Sequence, residues 1–233
     1  MKTRITILCC MLLCLAFAAN AQWKFELVAG PSFTTFTGGE KKDWGGTDTN
    51  PKLVLRGSLG LRAERLLNEK LSAGGGIVFS LKGTAYQGDV EYYNTVTFDF
   101  ENITVKYTKI LAYIDVPLYV KYKAGDKIKL LAGLQPSFLL SAKVKNDKNA
   151  RTAYPNLPEK EDAKDYYSGL DLALLLGPHY QVNEKLSVQL LVTPGILKIA
   201  KDEVYGGNGN MVNKKFKVNN AGLSLSFAYI ISE

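Results

Sequence analysis

Apolar and polar residues alternate along this chain in eight stretches, and the connections between the stretches are by turns very short and very long. The alternation has the period of two that puts successive side chains on opposite faces of a β-strand. In the second stretch Leu53, Leu55, Gly57, Leu59, Leu61 and Ala63 fall on one face, and Val54, Arg56, Ser58, Gly60, Arg62 and Glu64 on the other. The third sets Leu71, Ala73, Gly75, Ile77, Phe79 and Leu81 against Ser72, Gly74, Gly76, Val78, Ser80 and Lys82, and the last sets Leu223, Leu225, Phe227, Tyr229 and Ile231 against Gly222, Ser224, Ser226 and Ala228. The same rhythm runs through residues 114–122, 128–138, 170–180 and 186–192, and less cleanly through residues 25–33. Residues 67–70, 123–127 and 182–185 read as hairpin turns. Residues 37–51, 84–104, 143–167 and 195–215 form long polar connections rich in Gly, Asn, Asp, Lys and Tyr.

Strands with one lipid-suited face and one polar face, joined by short turns at one end and long loops at the other, describe an all-β fold: an eight-stranded antiparallel up-and-down transmembrane β-barrel. A soluble sandwich or a lipocalin-like barrel would turn the apolar face inward, and alternation alone does not separate the two. The contrast in connection length favours the membrane barrel, with three periplasmic turns and four cell-surface loops. After the first 21 residues no stretch approaches the roughly 20 apolar residues of a spanning helix, so a membrane location requires a closed barrel. Pro31, Pro117, Pro136, Pro178 and Pro194 lack a ladder donor and are expected at bulges or strand ends. Trp23, Tyr113, Tyr122, Phe138, Tyr180, Phe216, Phe227 and Tyr229 lie near stretch ends and are expected in aromatic girdles at the two interfaces.

The N-terminus supplies the address. Lys2 and Arg4 precede an apolar run and the small residues Ala19-Asn20-Ala21, which predicts a secretory signal cleaved after Ala21. The expected organisation is therefore a cleaved signal peptide at 1–21 and an outer-membrane β-barrel domain at 22–233. Cys9, Cys10 and Cys14 all fall in the leader, so the mature chain has neither a disulfide framework nor a thiolate metal site. Leu13 precedes Cys14, against a lipoprotein signal. Without Lys2 and Arg4 the chain carries 27 basic and 22 acidic residues, a net charge of +5 with no long run of one sign. That is not a nucleic-acid footprint, and no nucleic-acid partner is expected.

The interior of an eight-stranded barrel is just wide enough for its own side chains, which disfavours an open diffusion pore. The inward-facing Arg56, Arg62, Glu64, Lys82, Asp115, Lys121, Gln135, Asp171 and Gln189 hold both signs of charge and read as a lumen network, because buried charge is tolerable only when paired. The lone histidine, His179, lies beside the turn at residues 182–185 and reads as a lumen or rim residue. Glu159, Glu161, Asp162 and Asp165 read as a solvated loop, and no metal or cofactor is expected. Strand character persists around Tyr92-Tyr93-Asn94-Thr95, where Val96, Phe98 and Phe100 alternate with polar residues. This predicts a projecting hairpin whose edges could recruit a partner strand. Trp44, Tyr86, Tyr92, Tyr93, Tyr154, Tyr166 and Tyr167 put amphipathic aromatics in the loops, where they read either as a binding surface for a protein or glycan or as loop packing.

The segment Tyr113-Ile114-Asp115-Val116-Pro117-Leu118-Tyr119-Val120-Lys121-Tyr122 resembles the fourth-strand motif of the PorT-like outer-membrane β-barrel family. Residues 133–142 look like that family's fifth strand, and Gly177-Pro178-His179-Tyr180 with Thr193-Pro194-Gly195-Ile196-Leu197 like its sixth strand and the exit of its seventh. The resemblance implies a monomeric barrel in the outer membrane of a Gram-negative cell, surrounded by outer-membrane lipid. With the loops, it implies a structural or surface-binding role that is not catalytic. A membrane component of a secretion or envelope assembly system is the alternative, ahead of a lipid-modifying enzyme or a soluble carrier.

Overall fold

The computed structural model describes residues 23–42, 44, 49–201, 203–205, 211–213 and 216–232; the expected leader and its cleavage site lie outside them. In chain order the strands are β1 (Trp23–Thr37), β2 (Asn50–Lys52), β3 (Val54–Leu66), β4 (Leu71–Asn94), β5 (Asp99–Asp115), β6 (Leu118–Lys123), β7 (Ile128–Asn146), β8 (Lys160–Asp162), β9 (Leu170–Gln181), β10 (Leu186–Pro194), β11 (Glu203–Tyr205), β12 (Met211–Asn213) and β13 (Asn219–Ser232). The antiparallel order β4-β3-β1-β13-β10-β9-β7-β5 closes on itself through β4–β5. It is a ring of eight staves, in which β6 continues β5 and pairs with β4 and β7.

The expected faces hold. Phe25, Leu27, Phe33, Leu55, Leu59, Leu61, Ile77, Phe79, Leu134, Phe138, Leu176, Leu190, Phe227 and Ile231 point outward and exposed, as only a surface meant for lipid tolerates. Tyr122, Phe138, Tyr180, Phe227 and Tyr229 are among these outward residues. Two expected girdle members are not: Tyr113 is fully buried inside the ring, and Phe216 is packed under the loops. Tyr113 has the same strand parity as the lumen residue Asp115, so the period of two forces it inward.

The prolines mark interruptions. Pro117 sits in the break between β5 and β6, where Val116 lies opposite Pro136 of β7 and the Pro136 carbonyl accepts from Val116 N at 2.8 Å. The β5–β7 ladder stops at Asp115 and Ser137, and β6–β7 resumes at Leu118 and Leu134, so Pro136, which has no donor, falls in the gap between them. Pro194 ends β10. Pro31 and Pro178 each lie where the ladder on one side lapses.

Beyond the apolar belt the wall keeps going on one side. The connection at 84–104 contains the projecting hairpin expected around Tyr92-Tyr93: β4 and β5 pair without a break from Val78 and Asp115 to Asn94 and Asp99. A bulge in β7 between the partners of Ala112 and Tyr113 adds Leu140 to the strand. Its effect is a change of phase. Ser137 and Leu139 face inward below the bulge, whereas Ala142 and Asn146 face inward above it. The sequence between β7 and β9 folds back, β8 pairing with β7 and a short helix, Lys148–Ala153, starting from Asp147, whose carboxylate accepts from Ala150 N at 2.7 Å.

Candidate functional site

The lumen holds two tiers of paired charge. In the tier nearer the long loops, Lys82 reaches Asp115 at 3.1 Å and Asp171 at 3.4 Å, and donates to Ser137 Oγ at 2.8 Å. Gln135 donates to Asp115 at 2.9 Å and Asn220 to Asp171 at 2.9 Å, while the ammonium sits 4.6 Å from the centre of the Tyr113 ring. In the tier nearer the short turns, the Lys121 ammonium contacts Glu64 and lies 3.7 Å from Glu26. Ser72 donates to Glu64 at 2.7 Å and Lys129 stands 3.7 Å from it. Arg62 donates to Gln189 at 2.7 Å and stacks over Tyr119, with 5.5 Å from guanidinium to ring centre.

All the expected network residues share this interior, with one qualification of place: Arg56 is on the inward face, but its guanidinium donates to the Leu55 carbonyl at 3.1 Å. Glu26, Ser137, Lys129, Tyr113, Tyr119 and Asn220 are members that sequence reasoning missed. Strand parity was the available signal, since Glu26 has the parity of the inward Val28 and Tyr119 that of Lys121. His179 is buried on the same inner surface, toward the short turns. What remains open between the tiers is a cavity of about 60 Å³ lined by Ser32, Ser80, Lys82, Asp115, Asp171 and their neighbours. That is room for about two water molecules and not for a solute path.

Above the upper tier the long connections fold onto one another. Phe36, Trp44, Tyr86, Leu111, Tyr113, Leu139, Ala142, Ala163, Tyr167, Ile199, Ala200, Phe216 and Val218 form one buried cluster that draws on every long connection. Trp44 packs edge-on to Phe216 with ring centres 4.9 Å apart and to Tyr167 at 5.6 Å, and its indole N–H donates to the Tyr167 hydroxyl at 3.3 Å. Tyr86 donates to the Lys41 carbonyl at 2.6 Å. Backbone bonds knit the same loops, among them Ser168 N to Ile199 O at 2.7 Å and Ile199 N to Val218 O at 2.8 Å.

Of the two readings of the seven loop aromatics, binding surface or loop packing, three residues follow the second. Trp44, Tyr86 and Tyr167 are buried, and Tyr86 belongs to β4, not to a loop. Loop burial removes apolar ring area from water, and that gain outweighs display.

On top of this cluster lies a cup of about 760 Å³. Tyr107 and Lys109 of β5, Val144 and Asn146 of β7 and Glu161 of β8 line one side; Trp44, Tyr166, Tyr167 and Phe216 line the other. Residues 153–157, with half-exposed Tyr154, form its rim. Four of the seven expected aromatics, Trp44, Tyr154, Tyr166 and Tyr167, thus meet here, joined by Tyr107 and Phe216. Lys109 has the parity of Asp115 and sits above the apolar belt. Its ammonium donates to the Trp44 carbonyl at 2.6 Å and lies 5.0 Å from the centres of both the Trp44 and Tyr86 rings. Burial lowers its pKa to about 7, with nearby Glu161 pulling the other way.

Tyr92 and Tyr93 stand elsewhere, on the hairpin that β4 and β5 raise beyond the cup. Tyr93 packs on Phe100 with ring centres 5.3 Å apart, and Tyr92 donates to Glu101 at 3.2 Å. Hydrogen bonds from Thr97 and Asn94 hold the Glu101 carboxyl below its usual range. Val96 and Phe98 at the tip are exposed, and Phe98 is the one non-glycine residue with positive φ, 55°, among the described residues.

The structure is similar to Neisserial surface protein A, with a TM-score of 0.48 and 13% identity over 89% of this chain and 97% of that one. It is also similar to Ail, the attachment invasion locus protein of Yersinia pestis, with a TM-score of 0.41 and 11% identity over 89% and 98% of the two chains. A third similar structure is the outer membrane protease OmpT of Escherichia coli, with a TM-score of 0.40 and 10% identity over 91% and 97%. No curated protein matches the sequence. The model of the outer membrane protein β-barrel domain matches residues 17–201. With that match over most of its length and a closed ring of eight staves, the chain belongs to the outer membrane protein β-barrel domain family.

Proposed function

We propose that this protein is a non-catalytic, surface-binding barrel of the outer membrane, with the long connections outside the cell and the three short turns in the periplasm. The observation that carries the reading is the contrast between its two hollow places. The lumen is closed by ion pairs around a cavity of about 60 Å³, whereas the loop end holds a cup of about 760 Å³. A barrel that served solute passage would need the reverse arrangement. The lone histidine supports a non-catalytic role, because His179 is buried in the lumen near the short turns, far from the cup.

Within this reading the chain is a PorT-like member of the family, a monomer whose belt faces outer-membrane lipid. Its surface partner is met by the cup aromatics Trp44, Tyr154, Tyr166 and Tyr167 and by the arm carrying Tyr92 and Tyr93. Conductance across a planar bilayer tests it: the purified barrel is expected to give no sustained current steps. Regular open-channel steps would move the function to the lumen and overturn the reading.

A further inference from the structure

The walls of the cup say what kind of molecule it takes. We propose that it is a receptor site for a small, uncharged, ring-bearing apolar molecule, an aromatic or polycyclic compound and not a glycan. This deepens the surface-binding reading and rests on it.

Size comes first. A cup of about 760 Å³ is within the roughly 300–1,000 Å³ of small-molecule sites. It is closed below by the buried layer of Phe36, Tyr86 and Leu111 and cannot pass a strand or helix through.

Wall chemistry then selects the class. Sugars bring many hydroxyls, each of which needs a partner when it leaves water. Three of the polar groups at the cup are already engaged within the protein. Asn146 Nδ2 donates to the Pro158 carbonyl at 2.8 Å, Lys109 Nζ to the Trp44 carbonyl at 2.6 Å and the Trp44 indole N–H to Tyr167 at 3.3 Å. What the walls then offer is mainly ring faces and aliphatic carbon from Trp44, Tyr107, Tyr154, Phe216, Val144 and Leu157, with a few tyrosine hydroxyls, Asn156 and Glu161 as the remaining polar groups. Aromatic pairs in such sites add attraction beyond area burial.

Charge points the same way. The ionisable lysine and carboxylate lining the cup, Lys109 and Glu161, are of opposite sign and offset each other, so neither an anion nor a cation gains a net field.

The test uses the full mature chain in lipid nanodiscs with Trp23 changed to Phe, leaving Trp44 in the cup wall as the fluorescent reporter. The probes are 2-naphthol, uncharged at neutral pH, and maltotriose. Saturable quenching of Trp44 by 2-naphthol, with maltotriose silent, is the expected result. Two variants locate the site: Ala153→Phe, which fills the cup from its rim, should abolish the saturable phase, and Tyr154→Ala, which removes a rim ring, should weaken it about fivefold. Both must retain heat-modifiable gel mobility, the sign of a folded barrel. Saturation by maltotriose instead would overturn the ligand class and leave the surface-binding reading standing. Silence from both probes, or quenching by 2-naphthol that Ala153→Phe leaves unchanged, would overturn the proposal. Failure of the surface reading itself shows separately, as open-channel conductance.

Discussion

Replacing Lys82 by methionine isolates what holds the barrel interior together. In the folded protein this one ammonium, with a side-chain exposure of 11%, answers two carboxylates, Asp115 at 3.1 Å and Asp171 at 3.4 Å. At an effective dielectric constant of about 20, each attraction is worth roughly 5 kcal/mol gross. Most of that offsets the cost of taking the charges out of water, and methionine recovers some packing. The net loss expected on removing one partner of such a buried set is about 3–5 kcal/mol, because the two aspartates are left facing each other without a cation.

The measurement is guanidinium unfolding in detergent micelles, read as the denaturant midpoint at which heat-modifiable mobility disappears. Lys82→Met should lower the midpoint strongly. The triple variant Lys82→Met, Asp115→Asn, Asp171→Asn should recover to within about 1 kcal/mol of the parent, since the orphaned charges go with the lysine. A single variant as stable as the parent, or a triple variant no better than the single, would refute the reasoning.

Other expectations concern the loop end. Deleting Leu140 removes the β7 bulge and lets Ser141 follow Leu139 in plain alternation, so Ala142, Val144 and Asn146 should stay inward with their β5 partners and protease should spare residues 147–167 as in the parent; rapid cutting there would contradict this register. The Lys109 amine should titrate with a midpoint of about 7 in ¹³C NMR of the reductively methylated protein; a value near 10 would show that it is not desolvated. The sign for stability follows from burial lowering this pKa. Between about 7 and 10.5 the unfolded chain binds a proton that the folded chain does not, so the loop cluster should gain stability as pH rises through that window. Limited proteolysis at pH 7 and 9 should show that gain, and Lys109→Met should remove it. Gly83→Ala should destabilise the outer β4–β5 wall, because φ there is +127° and a Cβ would lie 2.1 Å from the Lys109 carbonyl oxygen; equal protease resistance would contradict this.

Most of the barrel could be read from alternation alone. Leu55, Ile77 and Phe227 outward against Arg62, Lys82 and Ser226 inward is a period-two statement that needs no tertiary information. The same parity carried the lumen network, and applied consistently it would have placed Tyr113 and Lys109 inside and added Glu26. Legibility ends where the phase changes. Nothing local in the sequence around Leu140 marks a bulge, so the inward set above it could not be read, and with it went the β7 wall of the cup. The burial of Trp44, Tyr86 and Tyr167 was illegible for a different reason. It depends on contacts such as Trp44 with Phe216 and Tyr167, between loops that are distant in sequence and meet only once the ring has closed. Composition shows that a loop contains rings, not whether they face a ligand or one another.

The claim that most needs a direct test is that the cup faces the outside of the cell. The three cysteines all lie within the first 21 residues, so a mature chain cleaved after Ala21 would be free of them and could take one at will. Tyr154→Cys, at the cup rim, and Glu184→Cys, in a short turn, would each be challenged on intact cells with a membrane-impermeant maleimide. Labelling of Tyr154→Cys on intact cells, and of Glu184→Cys only after the outer membrane is opened, is the expected result. Labelling of Glu184→Cys but not Tyr154→Cys on intact cells would put the cup in the periplasm and contradict the account.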